Sequence, residues 1–279
     1  MLPPKVISAS FLLWSQLLLV WSIAAYGIAA DPMKGEAEQF RWKRWFFLLA
    51  CRTIGATLVG YALSRSIVLA CAVLVSVLAQ PLLRYALPMR WVAEFETFFA
   101  AASMISALAI VRGLQLSSQW APSSMHAAQV AAVCIIASTI LLVVRGGTYI
   151  VRGILRKLGS SGPQDRIGSR KEESANSPQT VALAPMMIDA EEYNRGRLIG
   201  NLERIVLTIV VAAGSYAALA FLVAAKGVVR SEEFENSRDF TEYFLIGSLA
   251  SVLVALCAGI ALRISIVHLW PDLLALQMQ

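Results

Sequence analysis

Charge is scarce in this chain. Asp, Glu, Lys and Arg make up only 15% of its 279 residues, while 58% are hydrophobic. A water-soluble domain carries roughly 25% charged residues, so too few are present here to cover a water-facing surface. Histidine is scarcer still, limited to His126 and His268. The four cysteines, Cys51, Cys71, Cys134 and Cys257, contain no CxxC pair, and each lies within an apolar run. They read as small apolar packing residues rather than metal ligands or a redox couple. HExxH, a GxSxG nucleophile turn and a glycine-rich phosphate loop are all missing. No catalytic residue, metal site or cofactor is therefore expected, and an intramembrane enzyme is the weakest of three functional readings.

What the chain has instead is long apolar runs. They reach the roughly 20 residues that a bilayer-crossing helix needs. A membrane β-barrel would show short alternating strands, and these runs do not alternate. The expected fold is all-α, a polytopic transmembrane helical bundle. The net charge of +6 invites a nucleic-acid reading, but basic residues flanking apolar spans are what the positive-inside rule produces. Trp42, Trp45, Trp91 and Trp270 interleave with them, as interfacial aromatic belts do.

Along the chain, spans are expected at about residues 6–29, 45–63, 66–83, 91–111, 127–144, 203–225 and 243–267. The first is long for a signal-peptide core, so a retained helix is expected. Ser64-Arg65-Ser66 divides the second and third, with Arg65 at the turn and Pro81 and Pro88 marking the exit. The count is seven spans, or six if 45–83 crosses once. Residues 1–158 form one group of helices with a basic extension. Residues 159–189, rich in Gly, Ser, Pro and charge, are expected to be a flexible linker, and 190–279 form a C-terminal helical hairpin. Residues 145–204 hold the densest basic cluster and are placed in the cytoplasm. That order puts the connector 226–242 outside and the C-terminal tail inside.

Three sets of residues stand out. Arg204, Thr208, Ser215 and Lys226 share one side of the expected sixth span, as a polar stripe with its cations at opposite ends. Gly247, Ser251, Ala255 and Gly259 form a small-residue ridge on the last span. Such ridges let helices approach closely in lipid, either within this chain or between two copies. Arg52, two turns inside the second span, is expected to pair with Glu96, or less favourably with Glu94.

The string Gly196-Arg197-Leu198-Ile199-Gly200-Asn201-Leu202-Glu203-Arg204 resembles the signature of a bacterial membrane-protein family, domain of unknown function 3307. Residues 221–226, Arg230, Glu242 to Gly247 and Ser251 follow the same order. The resemblance covers about the last quarter of the chain and implies a bacterial inner-membrane protein, with no established activity. No histidine precedes His126, and Asp31 is the only aspartate before it, so His–Asp chemistry in the early helices is not carried over.

The reading these features favour is an integral membrane scaffold, sensor or assembly subunit. Its partners would be the lipid bilayer and either another copy or a different membrane protein, with no nucleic acid. The alternative is a small-solute or ion transporter or channel component, to which the polar stripe points.

Overall fold

The computed structural model describes residues 9–27, 42–87, 91–120, 124–157, 190–229, 231 and 238–269. Among them the chain is helical throughout, with no strand. Helix α1 (Ala9–Ser22) runs into a π-helical segment, Ile23–Gly27. Then come α2 (Trp42–Ser64), α3 (Ile67–Ala86) and α4 (Val92–Gly113). Helix α5 (Ser124–Leu141) passes through a second π-helical segment, Leu142–Gly146, into α6 (Gly147–Lys157). Helices α7 (Ala190–Ala212), α8 (Tyr216–Val229) and α9 (Arg238–Leu269) complete the fold. The linker 159–189 lies outside the described residues.

Among the described residues, six stretches are long and apolar enough to cross a membrane: Ala9–Gly27, Trp45–Ser64, Ile67–Arg84, Glu94–Gly113, His126–Leu155 and Phe244–Val267. Their outer surfaces are apolar; Phe98 is 76% exposed and Ile67 71%. Lipid solvates such a surface, whereas soluble monomers rarely expose large apolar patches.

The helices alternate in direction between two faces. The backbone N–H of Ser118 donates to Ala9 O, and that of Gln119 to Leu63 O. This gathers the start of α1 and the ends of α2 and α4 on what we call the Ala9 face. Contacts of Glu96 with Tyr26 and Arg84, and of Glu94 with Lys157, gather the other ends on the Glu94 face.

Residues 45–83 do form two helices. Arg65 adopts φ 52°, and its N–H caps α2 by donating to Tyr61 O at 2.7 Å. A left-handed residue at this position closes helices commonly, though glycine usually supplies it. Ser66 then caps the start of α3 by accepting from Leu69 N–H. Pro81 is not an exit: α3 continues through it to Ala86. Cys134 is buried, but Cys51, Cys71 and Cys257 sit on the exterior rather than in the packing.

The expected sixth span, 203–225, is not one helix. Gly214 has φ +76°. Its N–H donates to Val211 O, and Ser215 N–H donates to Val210 O. This is a glycine helix stop in which two backbone donors satisfy the last carbonyls. Ser215 O then accepts from Leu219 N–H at the start of α8. The chain therefore reverses, and α8 returns along α7. The count of long spans is six because α7–α8 folds back, not because 45–83 crosses once.

The reversal corrects three expectations. Lys226 returns to Glu203, with Nζ 2.5 Å from Oε2, so Arg204 and Lys226 sit at the same end of the polar set. Helices α7 and α9 are parallel rather than an antiparallel hairpin. Gly147 lies against both Arg204 and Val254, Gly259 against Thr208 and Val211, and Gly214 against Arg263. Finally, α9 starts on the Glu94 face, where Gly247 meets Leu155. It ends on the Ala9 face, where Leu262 clusters with Leu12. The end of α8 and the start of α9, which flank the connector, therefore share a face with the described basic residues of α6 and with Arg204, and α9 ends on the opposite face.

Candidate functional site

The most polar part of the interior lies where α1, α3, α4 and α6 converge on the Glu94 face. Glu96, in the second turn of α4, is 1% exposed. A bare carboxylate is strongly disfavoured in such a place, so it must be paired and hydrogen-bonded. Arg84 Nε donates to Glu96 Oε1 at 2.6 Å, and a second guanidinium nitrogen approaches the same carboxylate. Tyr26 Oη donates to Oε2 at 3.1 Å, and Gln80 Nε2 donates to it at 3.4 Å. Arg84 in turn lies 3.9 Å above the centre of the Tyr149 ring, a favourable cation–π arrangement.

Local backbone irregularity makes this convergence feasible. Tyr26 belongs to the first π-helical segment, and Gly146 ends the second. A Cβ placed on Gly146 would sit 3.2 Å from Tyr26 Cζ, so glycine there leaves room for the ring. π-Helical turns inside α-helices occur frequently at functional sites, and here two neighbouring helices carry them beside the same carboxylate.

Polar contacts continue deeper. Trp21 packs edge-on against Tyr26 at 5.8 Å, and its indole N–H donates to Ser76 Oγ at 3.0 Å. Ser76 and Ser103 hydroxyls are 2.9 Å apart. A cavity of about 40 Å³ adjoins them, lined mostly by apolar side chains such as Leu17, Leu69 and Val73, with the Ser76, Ser103 and Ser106 hydroxyls on its wall.

The expected Arg52–Glu96 pair is not made, because Arg84 and the donors from α1 and α3 occupy Glu96. Glu94 is likewise taken, by Lys157. Arg52 is 7% exposed, and its Nε has no hydrogen-bond partner among the described residues. Arg84 is the residue missed in the sequence. It lies one helical turn beyond Gln80 and so on the same side.

The C-terminal residues form a separate seam. Arg204, 6% exposed, donates from Nη2 to Thr148 Oγ1 at 3.0 Å and to Asn201 Oδ1 at 2.5 Å. Thr208 Oγ1 bonds back to Arg204 O, while Ser215 belongs to the turn at the far end of α7. The residues of the expected stripe are thus dispersed. Gly247, Ser251, Ala255 and Gly259 lie along the α9 seam: Ala255 is fully buried, Gly247 lies against α6 and Gly259 against α7. A homodimer through this ridge would need surface that the chain's own helices already cover. Gly196 and Arg197 lie in α7, with side chains outside the described residues. Gly200 faces open space, Glu203 binds Lys226, and Glu242 is exposed at the start of α9.

Among the described residues, no three His, Cys, Asp or Glu side chains converge as a metal site would require. Comparison of the chain with known family signatures, characterised proteins and solved structures finds no match.

Proposed function

We propose that the chain is a multi-pass scaffold, sensor or assembly subunit of a bacterial cytoplasmic membrane that holds a membrane-protein partner against α8. One observation carries the reading. Helix α8 has no buried residue, and Tyr216, Phe221, Val228 and Val229 are all exposed. Its 14 residues span about 21 Å at 1.5 Å per residue, against a hydrocarbon core of about 30 Å. Packing, rather than hydrophobic contrast, drives helix association in lipid, so a short unpacked leg gains most from a neighbouring protein. The segments resembling domain of unknown function 3307 support the same reading. They fall on α7, the end of α8 and the start of α9, around the Glu203–Lys226 pair and Phe244, whose ring centre is 5.3 Å from Lys226 Nζ. Affinity capture from native membranes tests it. A defined partner is expected to co-purify and to be lost on combining Phe221→Ala with Val228→Ala. Recovery of the chain alone, as a monomer, would sink the idea.

The Glu94 face is read as cytoplasmic. Of the described Lys and Arg residues, only Arg65, Arg112 and Arg263 belong to segments at the Ala9 end. The positive-inside rule then places the start of α1 and the end of α9 outside. Impermeant thiol labelling in a cysteine-free background checks this. Ser231→Cys is expected to react only in inside-out vesicles and Gln119→Cys only in right-side-out ones. Ser231→Cys labelling from outside would overturn the orientation.

A second reading, transport of a proton or small ion, is favoured by the Glu96 cluster alone. An ionisable residue inside a membrane is a functional candidate by default, and the paired π-helical segments give it a deformable surround.

A further inference from the structure

Arg52 is the one described buried cation before α7 whose charge the fold leaves unanswered. Between residues 9 and 157, the described segments contain only two carboxylates, Glu94 and Glu96. Glu96 is bound to Arg84 and Glu94 to Lys157. Among the described residues, the groups in electrostatic range of Arg52 are Arg84, which adds like charge, and the phenol of Tyr149. The cluster of Arg52, Arg84 and Glu96 therefore carries an excess positive charge, with Arg52 93% buried and its Nε without an acceptor. Burying a cation without a counter-charge is costly. Arg204, equally buried and also with an unpartnered Nε, differs because Thr148 and Asn201 accept from its Nη2.

Position narrows the class of anion. Arg84 ends its span, Glu94 begins the next and Tyr26 lies one residue before the end of the first. The excess charge thus sits near one membrane boundary, about two helical turns inside the span that starts at Trp45, at a depth from which an arginine reaches headgroups. Guanidinium forks match phosphate oxygens in a bidentate geometry that an ammonium cannot reproduce.

We propose that Arg52, with Arg84 beside it, forms a binding site for a phosphate-class oxyanion, supplied by an anionic phospholipid headgroup or by free phosphate. The bound oxyanion accepts from Arg52 and neutralises the cluster's excess charge, while Arg84 stays on Glu96.

The test uses the full chain in nanodiscs. Wild type and variants are compared in the phosphate-free lipid digalactosyldiacylglycerol alone, in that lipid with phosphatidylglycerol, and in that lipid with added inorganic phosphate. Bound phospholipid or phosphate and thermal stability are both read. Wild type is expected to retain phosphatidylglycerol at least about tenfold more tightly than Arg52→Gln, from the loss of charged hydrogen bonds. Arg52→Lys is expected to fall between them, and Arg112→Gln, on the other face, to match wild type. In digalactosyldiacylglycerol alone the order of stability reverses: Arg52→Gln melts higher than wild type, because an unanswered charge has gone. Preference for phosphatidylglycerol identifies a lipid headgroup as the source, and an equal response to inorganic phosphate identifies the free ion. Unchanged anion retention in Arg52→Gln overturns the site. So does a variant carrying Asp31→Asn, Glu36→Gln and Glu38→Gln that reproduces the Arg52→Gln behaviour, since the counter-charge would then come from the chain itself. If Arg52→Gln does not fold, Arg52→Lys carries the comparison, and retention equal to wild type counts against the site.

Discussion

Replacing Glu96 by alanine is expected to lower the unfolding free energy by about 3–5 kcal/mol, the usual cost of breaking a buried pair by removing one partner. The loss is large because three side chains depend on one carboxylate. Arg84, whose side chain is 18% exposed, keeps its charge without its counterion. Tyr26 and Gln80 keep donors that have nowhere else to point. Unfolding in mixed micelles, followed by tryptophan fluorescence, measures it; Trp21 packs against Tyr26 and reports locally. The double variant Arg84→Met with Glu96→Leu is expected to recover much of the loss, since a buried pair replaced by apolar residues of similar size is often neutral. Equal loss in the single and double variants would show that the charge pair is not what holds this corner. Glu96→Gln keeps an acceptor and the side-chain volume while removing the charge, so it also separates the two functional readings. Liposome flux abolished in a folded Glu96→Gln protein favours transport. Unaltered partner capture together with an absence of flux in wild type favours assembly.

Composition alone made the helical membrane architecture legible, since apolar runs of spanning length admit few alternatives. The division at Arg65 was legible too, because a polar Ser-Arg-Ser string between apolar runs leaves little room for a continuous helix. The reversal at Gly214 was not read, although its signal was present: a glycine followed by a serine is a stop and then a start. It was masked because both residues also suit helix packing in lipid. Hydropathy cannot separate one span of 23 residues from a folded-back pair when the turn itself is apolar. That single turn then inverted the placement of the connector and the C-terminus. The Glu96 cluster was half legible. A carboxylate entering a span asks for a cation, and the sequence offered Arg52 within a span and Arg84 near an end. Only the packing of α3 against α4 selects between them. The π-helical segments had no sequence signature of their own.

The seat of α7 on α9 is where the smallest substitution should do the most. A Cβ on Gly259 would lie 2.6 Å from Val211 Cβ and 2.9 Å from Thr208 O. The second of these is backbone, which cannot rotate out of the way. Val211 is itself fully buried, so α7 as a whole must retreat. Overpacking of this kind costs about 1–3 kcal/mol, and Gly259→Val is expected at or above the upper end, because a branched side chain adds to the Cβ clash. The damage should spread along the shared seam to Arg204, which reaches α6 at Thr148, and to the Gly214 turn beside Arg263. Gly227→Ala supplies the opposite sign within the same region. Nothing lies within 4 Å of a Cβ there, and removing an interior helical glycine gains about 0.5–1 kcal/mol. Thermal unfolding of the two variants beside wild type therefore distinguishes a specific close approach at Gly259 from a general intolerance of larger residues in the C-terminal helices. If Gly259→Val were as stable as wild type, the parallel packing of α7 and α9 would be wrong. The side assigned to the connector would then fall with it, since both depend on α8 turning back at Gly214.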